Sequence, residues 1–167
     1  FYEMFFEDAK LVSQELDLVL TGRSAGVEEK VPMCGIPFHA ANSYIQRLVK
    51  KGYKVAICEQ LEDPSSAKGL VDRGIIKIIT PGTYMDATMD AKSTNYMASC
   101  DVSSFEITVI YCELSTGELK YQTLQRSLVA LQKALLEQNV SELVCPMTMD
   151  KKWMAALEEM DTMLTLW

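Results

Sequence analysis

The chain has 167 residues, of which 49% are hydrophobic, and a net charge of −7, which argues for globular packing and against disorder or a strongly basic nucleic-acid-binding chain. No apolar run approaches the ~20 residues of a membrane span, the first residues lack the basic and apolar regions of a signal peptide, and the five scattered cysteines form no Cys-x-x-Cys pair. We therefore expect neither a membrane span nor a disulfide framework nor a zinc site, and place the protein in the reducing cytoplasm.

The first half of the chain predicts a small α/β unit. Apolar side chains spaced by three and four residues indicate its helices, and Gly52 stands where a helix C-cap glycine belongs. A nearly continuous apolar run at Tyr53–Glu59 predicts a strand buried on both faces. The elements expected in order are a strand at Phe1–Glu3, a helix with Phe5, Ala9, Val12 and Leu16 on its apolar face, a strand at Asp17–Thr21, an exposed loop at Gly22–Lys30, a strand at Val31–Ile36, a helix at His39–Lys51, the strand at Tyr53–Glu59, a break at Asp63–Ser66, a strand at Ile75–Ile79 and a turn at Pro81–Gly82.

The second half predicts a separate domain. Tyr84–Asn95 is polar and lacks a clear period, so we place a boundary there and expect domains at residues 1–84 and 96–167 joined by a linker at 85–95. The elements expected beyond it are an antiparallel meander of strands at Tyr96–Val102, Glu106–Leu114 and Leu119–Leu124, a helix carrying Leu128, Leu131 and Leu135, a strand at Glu142–Cys145, and a last helix, marked by Trp153, Leu157, Met160 and Leu164, that runs to the end of the chain.

Four short motifs carry a resemblance to a known family. They are Phe1–Glu3 (FYE), Gly35–Ala40 (GIPFHA), Gly52–Gln60 (GYKVAICEQ) and Thr80–Thr83 (TPGT). Their order and spacing resemble the start of the bacterial MutS mismatch-recognition proteins, and Leu114–Leu119 resembles part of that family's connector domain. The family has a glycine two positions before the phenylalanine, so we expect this sequence to be an excerpt that lacks its natural beginning.

The resemblance implies a fold and a set of partners. The expected fold is a small mixed-sheet α/β mismatch-binding domain followed by a partial RNase-H-like α/β connector domain. The implied ligand is double-stranded DNA with mismatches or small loops, and the implied protein partner is of the MutL type, bound through the connector domain. The parent protein would be a homodimer and a DNA-dependent ATPase that uses ATP and magnesium outside this chain, which itself would hold no catalytic site, metal or cofactor.

Phe1 and Glu3 are the first candidate site residues. They project to the same side of an extended strand because side chains alternate. An exposed phenylalanine can enter DNA as a wedge that unstacks and kinks it, and this costs least where pairing is poor. In the resembled family the matching phenylalanine stacks on a mispaired base and the matching glutamate hydrogen-bonds it, which implies the same roles here. From the residues alone, the alternative is a first strand with Phe1 buried in a core and Glu3 solvated.

Two further residues complete the candidate DNA-binding set. Arg23, in the predicted loop, could reach a phosphate or the minor groove, or could simply be solvated. Met33 allows the same two interpretations. The predicted DNA-binding residues are Phe1, Glu3, Arg23 and Met33.

Two enzyme readings and one binding alternative remain to be weighed. Gly69 and Gly74 have the glycine spacing of a phosphate-binding loop, but Ile75-Ile76 replace the required lysine and hydroxyl. An RNase-H-like nuclease could gather Asp101, Glu106 and Glu113 around magnesium, yet strand alternation puts the two glutamates on opposite faces. A protein-interaction module without direct DNA contact suits the second half, because residues 89–167 hold 6 Lys and Arg against 11 Asp and Glu.

Overall fold

Helices and strands are interspersed along the chain, which confirms the predicted α/β class. The computed structural model describes residues 1–24, 26, 30–63, 69–85 and 94–167. Contacts between Cα atoms divide the chain into two units, Phe1–Ala56 and Ile57–Trp167. The predicted linker at 85–95 and the predicted break at Asp63–Ser66 lie mostly outside the described residues, so the domain assignment stays a prediction.

The first unit is built on a three-stranded antiparallel sheet. Its elements are β1 (Tyr2–Phe5), α1 (Phe6–Leu16), β2 (Thr21–Arg23), β3 (Val31–Ile36), a 3-10 turn (Phe38–Ala40) and α2 (Ala41–Lys50). Strand β3 lies between β1 and β2, and Met33 at its middle is paired with Phe5 on one side and Thr21 on the other. The predicted strand at Val31–Ile36, the first strand and both helices are confirmed, although Phe5, expected on the first helix, is the last residue of β1.

One face of this sheet packs on α1 to form the core of the first unit. Side chains spaced by three and four residues on α1 meet the middle strand in a cluster made of Ala9, Val12, Leu16, Cys34 and Leu48. The Cys34 thiol donates to the Ala9 carbonyl at 3.4 Å. The apolar helix face predicted from the sequence therefore anchors the sheet from behind.

The carboxyl end of α1 is closed by side chains from and just after α2. Asp17 takes a left-handed conformation, with φ of 57°, that ends the helix. The Lys51 ammonium group donates to the Glu15 carbonyl at 2.8 Å and the Arg47 guanidinium to the Leu16 carbonyl at 3.3 Å, which complements the negative end of the helix dipole. Hydrogen bonds from Lys51 and then Tyr53 to the Glu15 carboxylate hold its pKa below the usual range.

Two predictions for the first eighty residues are wrong. The strand expected at Asp17–Thr21 begins only at Thr21 and runs to Arg23, inside the expected loop. Asp17 ends the helix instead, and Leu18 N–H closes its last turn on Ser13 O at 2.9 Å. Strand β4 (Val55–Gln60) is not buried on both faces, since its side chains alternate between half-buried and exposed. Among the described strands, β4 pairs with β5 (Arg73–Ile79) in a two-stranded sheet.

The second unit contains a sheet of five described strands. Its further elements are β6 (Tyr96–Val102), β7 (Glu106–Glu113), β8 (Glu118–Gln125), α3 (Leu128–Glu137), β9 (Val140–Cys145), α4 (Lys151–Glu158) and β10 (Met163–Leu166). The strand order is β10-β9-β6-β7-β8, with an antiparallel meander over β6, β7 and β8 and parallel pairing of β6 with β9 and of β9 with β10. The predicted meander, the helix after it and the strand at Glu142–Cys145 are confirmed.

The last predicted helix is too long. Helix α4 ends at Glu158, and residues 163–166 form β10 beside β9 instead of continuing the helix. Pairing with β10 satisfies backbone N–H and C=O groups that β9 would otherwise leave open at the edge of the sheet. The Thr162 hydroxyl also donates a hydrogen bond to the Val140 carbonyl at 2.9 Å. The sheet therefore has one strand more than the sequence predicts.

The turn at Thr80–Thr83 is attached to the second unit by a buried carboxylate. Glu142 is 3% exposed, and its Oε2 accepts hydrogen bonds from the Thr80 hydroxyl and from the Gly82 N–H at 3.1 Å. Its Oε1 accepts from the Thr165 hydroxyl at 2.6 Å. We name Thr80, Gly82, Glu142 and Thr165 the Glu142 network, and it gives the TPGT motif a structural role.

Glu113 is committed to the turn between β7 and β8. Its carboxylate accepts from the Thr116 hydroxyl and N–H at 2.6 and 2.7 Å and from the Ser115 hydroxyl at 2.9 Å. These bonds, those of Thr116 first, lower the pKa of Glu113 to about 2. The carboxylate is therefore a turn cap.

The stability of the second unit should depend on Glu113 in acid. Because its folded pKa of about 2 lies below the unfolded value of about 4.3, ionised Glu113 stabilises the fold above about pH 5, and this contribution declines as the pH falls towards 2. We expect the Tm, followed by circular dichroism from pH 6 to pH 2.5, to fall less steeply in Glu113→Gln than in the unsubstituted chain. Glu106→Gln, at the exposed start of β7, is the control, and equal slopes for all three proteins would contradict the assignment.

Candidate nucleic-acid interface

The sheet face opposite α1 carries the residues predicted to bind DNA. Since side chains alternate along strands, Glu3 of β1, Arg23 of β2, and Met33 and Gly35 of β3 share one face, while Cys34 points to α1. We name these four residues, together with Phe1, the recognition face. The antiparallel register pairs Glu3 with Gly35 and Arg23 with Val31, so one small sheet holds Glu3, Arg23 and Met33, and Phe1 directly precedes its first strand.

Phe1 projects from the end of the recognition face. Its side chain is 86% exposed, which contradicts the alternative that it lies in a core. A Cβ atom placed on Gly35 would lie 3.2 Å from the Tyr2 carbonyl oxygen, 3.8 Å from Phe1 Cδ1 and 3.9 Å from Glu3 Cγ. A Cβ atom at position 35 would therefore press on the Tyr2 carbonyl and touch both candidate residues at ordinary contact distance, and glycine leaves this space open.

Glu3 and Arg23 form an ion pair across the middle strand. Arg23 Nη1 donates to Glu3 Oε2 at 3.0 Å, and the side chains are 58% and 40% exposed respectively. Because β3 lies between β1 and β2, the pair spans the width of the sheet. The sequence placed Arg23 in a loop, so this pairing was missed. The sequence feature that could have indicated the pairing is the alternation of Thr21 and Arg23 near the predicted strand at Val31–Ile36.

Met33 forms part of the floor of the recognition face. It is half-buried on the middle strand, and its carbonyl accepts a hydrogen bond from the Thr21 hydroxyl at 3.0 Å. A methionine at this position gives an apolar, adaptable surface next to the charged pair. The structure therefore brings Met33 together with Glu3 and Arg23 on one face.

Comparison with known proteins identifies the family. The family model of MutS domain I matches residues 1–88, slightly more than half of the chain. The chain belongs to the MutS family. It is 52% identical over 152 residues to the DNA mismatch repair protein MutS of Clostridium botulinum (strain Loch Maree / Type A3), covering 85% of this chain and 16% of that protein. It is 56% identical over 119 residues to the DNA mismatch repair protein MutS of Clostridium tetani (strain Massachusetts / E88), covering 71% of this chain and 14% of that protein.

The MutS domain I match includes the whole recognition face and the Thr80–Thr83 turn. The chain spans about a sixth of the length of the curated relatives it matches. Phe38, an exposed aromatic residue within the matched region, has no role in the predictions made from the sequence. Phe38 is 69% exposed. Its ring centroid lies 5.7 Å from that of Tyr2, the residue between Phe1 and Glu3 in the sequence.

The residues weighed for catalysis are used elsewhere in this MutS-family chain. Gly74 lies inside β5 against the Leu61 side chain rather than in a phosphate-binding loop. Asp101 is paired with Thr108, whereas Glu113 is at the far end of β7 and caps its turn. Within the described ranges, no group of three or more His, Cys, Asp or Glu side chains is placed to hold a metal ion.

The buried thiols and the helices add two further observations. Burial raises the pKa of Cys34 and Cys145, and raises that of Cys100 to about 12, so these thiols stay protonated near neutral pH. In the part of the chain that the structure describes, every helix is too short or too polar to cross a membrane.

Proposed function

We propose that this chain recognises mispaired or unpaired bases in double-stranded DNA, with Phe1 as the wedge and Glu3 as the hydrogen-bond acceptor. The observation that carries the proposal is the 86% exposed ring of Phe1 at the end of a sheet face that also presents the Glu3 carboxylate. Single exposed apolar side chains are common on protein surfaces, so it is the MutS domain I match that supplies the class of ligand for this ring.

Phe1 would sense a weak base pair by its cost of unstacking. Apolar wedges entering the minor groove kink DNA by roughly 20–90°, and stacking of a base on an aromatic ring contributes about 1–3 kcal/mol whatever the base. Unstacking costs less at a mismatch than at a paired step. The wedge therefore favours defects without reading sequence.

Glu3 would make the recognition selective. An ionised carboxylate only accepts hydrogen bonds, so it can be satisfied by a base N–H that a defect exposes. Against properly paired DNA it meets phosphate charge without that compensation. Arg23 would supply a positive charge beside it, and Met33 an apolar contact next to the wedge.

The chain would work within a longer protein. Its net charge of −7 opposes phosphate binding, so further DNA contacts must come from elsewhere. We propose a cytoplasmic homodimer that hydrolyses ATP with magnesium outside this chain, and a second unit of RNase-H-like type that binds a MutL-type partner. Exposed apolar side chains on the second unit, Ile110, Leu119 and Tyr121, support a docking role for it.

The direct test is DNA binding by the full-length protein that carries this chain. It should bind a duplex with one mismatch or one unpaired base more tightly than the same duplex perfectly paired, and the 167-residue chain alone should bind both weakly with a steep loss in salt. Fluorescence anisotropy with labelled duplexes at several salt concentrations measures both. Equal affinities of the full-length protein for the two duplexes would refute the proposal, as would cleavage of either duplex by the isolated chain in magnesium.

A further inference from the structure

We infer that Arg23 is a positioning residue for Glu3, and that the ion pair between them sets how strongly the site discriminates a defect from paired DNA. The inference rests on the proposed function of Phe1 and Glu3. It differs from a simple phosphate contact by Arg23, because it assigns the effect of the arginine to the glutamate it holds.

The hydrogen-bond pattern of Glu3 leaves one oxygen for a ligand. Oε2 accepts from Arg23 Nη1 at 3.0 Å. Among the hydrogen bonds of the described residues, Oε1 accepts none, and it remains available for a base N–H. A carboxylate fixed through one oxygen offers the other in a defined direction, which reduces the conformational entropy lost on binding.

The backbone holds both partners in place. Arg23 is on β2 opposite Val31, and Glu3 is on β1 opposite Gly35, so both side chains extend from strands bonded to β3. The glycine at position 35 leaves space next to Glu3 Cγ, 3.9 Å from where a Cβ atom would be. The geometry of the pair is therefore determined by the sheet and not by a loop.

The charge of the pair matters more for DNA than for folding. Without Arg23 the Glu3 carboxylate would repel the phosphates of any duplex more strongly, because the guanidinium offsets part of its charge. Both side chains are more than a third exposed, so the pair contributes little to the stability of the fold. Arg23 can thus be replaced without unfolding the unit, and the effect on DNA can be measured separately.

A double-mutant cycle in the full-length protein tests the inference. Kd values for a one-mismatch duplex and its paired counterpart are measured for the unsubstituted protein, Arg23→Gln, Glu3→Gln and the double variant. We expect Arg23→Gln to weaken mismatch binding about tenfold when Glu3 is present, and by no more than about twofold in the Glu3→Gln background, because there is then no carboxylate to hold or balance. Arg23→Lys, which keeps the charge but loses the planar donor geometry, should fall between these values.

The same cycle contains the outcome that overturns the inference. If Arg23→Gln costs the same factor in both backgrounds, Arg23 acts on DNA independently of Glu3. Failure of the proposed function is recognised separately, because Glu3→Gln alone would then leave the ratio of mismatched to paired affinity unchanged. The control pair is Lys10 and Glu7 on α1, an exposed ion pair at 2.7 Å, for which Lys10→Gln and Glu7→Gln should show no coupling in DNA binding.

Discussion

Phe1→Ala in the full-length protein should lower the affinity for mismatched DNA by about 5- to 150-fold, towards the affinity for paired DNA. The estimate follows from the loss of one base–aromatic stack of about 1–3 kcal/mol. The Tm should not change, because a side chain that is 86% exposed supports no core. Titrations with the two duplexes and a thermal melt measure all three quantities.

Phe105→Ala is the matched control for this variant. Phe105 is 89% exposed in the connection between β6 and β7 of the second unit. Its replacement by alanine also removes an exposed aromatic ring, but from outside the recognition face. It should leave the ratio of mismatched to paired affinity unaltered. A Phe1→Ala protein with a lower Tm and full discrimination would show that the ring is structural.

Glu3→Ala should change the ratio of mismatched to paired affinity through the affinity for paired DNA. The wedge survives, but the carboxylate that opposes paired DNA is gone, so affinity for paired DNA should hold or rise while discrimination shrinks. A loss of affinity for both duplexes by the same factor would instead place Glu3 among general binding contacts.

Replacement of Glu142 should produce a large loss of stability in the second unit. Glu142→Ala leaves the Gly82 N–H and the hydroxyls of Thr80 and Thr165 without their acceptor in a site that is 3% exposed. Each stranded buried donor costs about 1–3 kcal/mol, with partial relief from entering water, so we expect a total of about 2–4 kcal/mol. Urea unfolding curves of the chain give this value, and Glu158→Ala, on the exposed side of α4, should change it by less than about 0.5 kcal/mol.

Gly82→Ala tests the same network from the opposite side. The added Cβ atom would lie 2.8 Å from Glu142 Cβ and 3.0 Å from Met97 Cβ, distances at which something must shift. Overpacking of this kind costs about 1–3 kcal/mol. If Glu142→Ala and Gly82→Ala both unfold at the urea concentration of the unsubstituted chain, the network is absent in solution.

Elements with strong local patterns could be predicted from the sequence. The spacing of Ala9, Val12 and Leu16 specifies a helix face without reference to the rest of the chain, and Pro37 marks the end of Val31–Ile36. The short strands β2 and β10 carry no such signal, because each exists only through the neighbour it pairs with. Their positions depend on open strand edges that the sequence does not display.

The candidate site was predictable in part for the same reason. Alternation along a strand is enough to put Phe1 and Glu3 on one side, because the two residues belong to one short contiguous motif. The Arg23 ion pair joins residues 20 apart and requires the register of both outer strands on β3. The Glu142 network joins Thr80 to a carboxylate 62 residues later, and no local pattern distinguishes that glutamate from a solvated one.

The span of the Glu142 network also has a consequence for the order in which the second unit assembles. Strands β6, β7 and β8 are joined by short connections and can pair early, whereas the Thr80 hydrogen bond must close a loop of 62 residues and wait for β9. Contacts formed after the folding transition state are felt mainly in the unfolding rate. The Glu142 network should therefore form late in folding, and its loss should raise the unfolding rate of the unit far more than it lowers the folding rate.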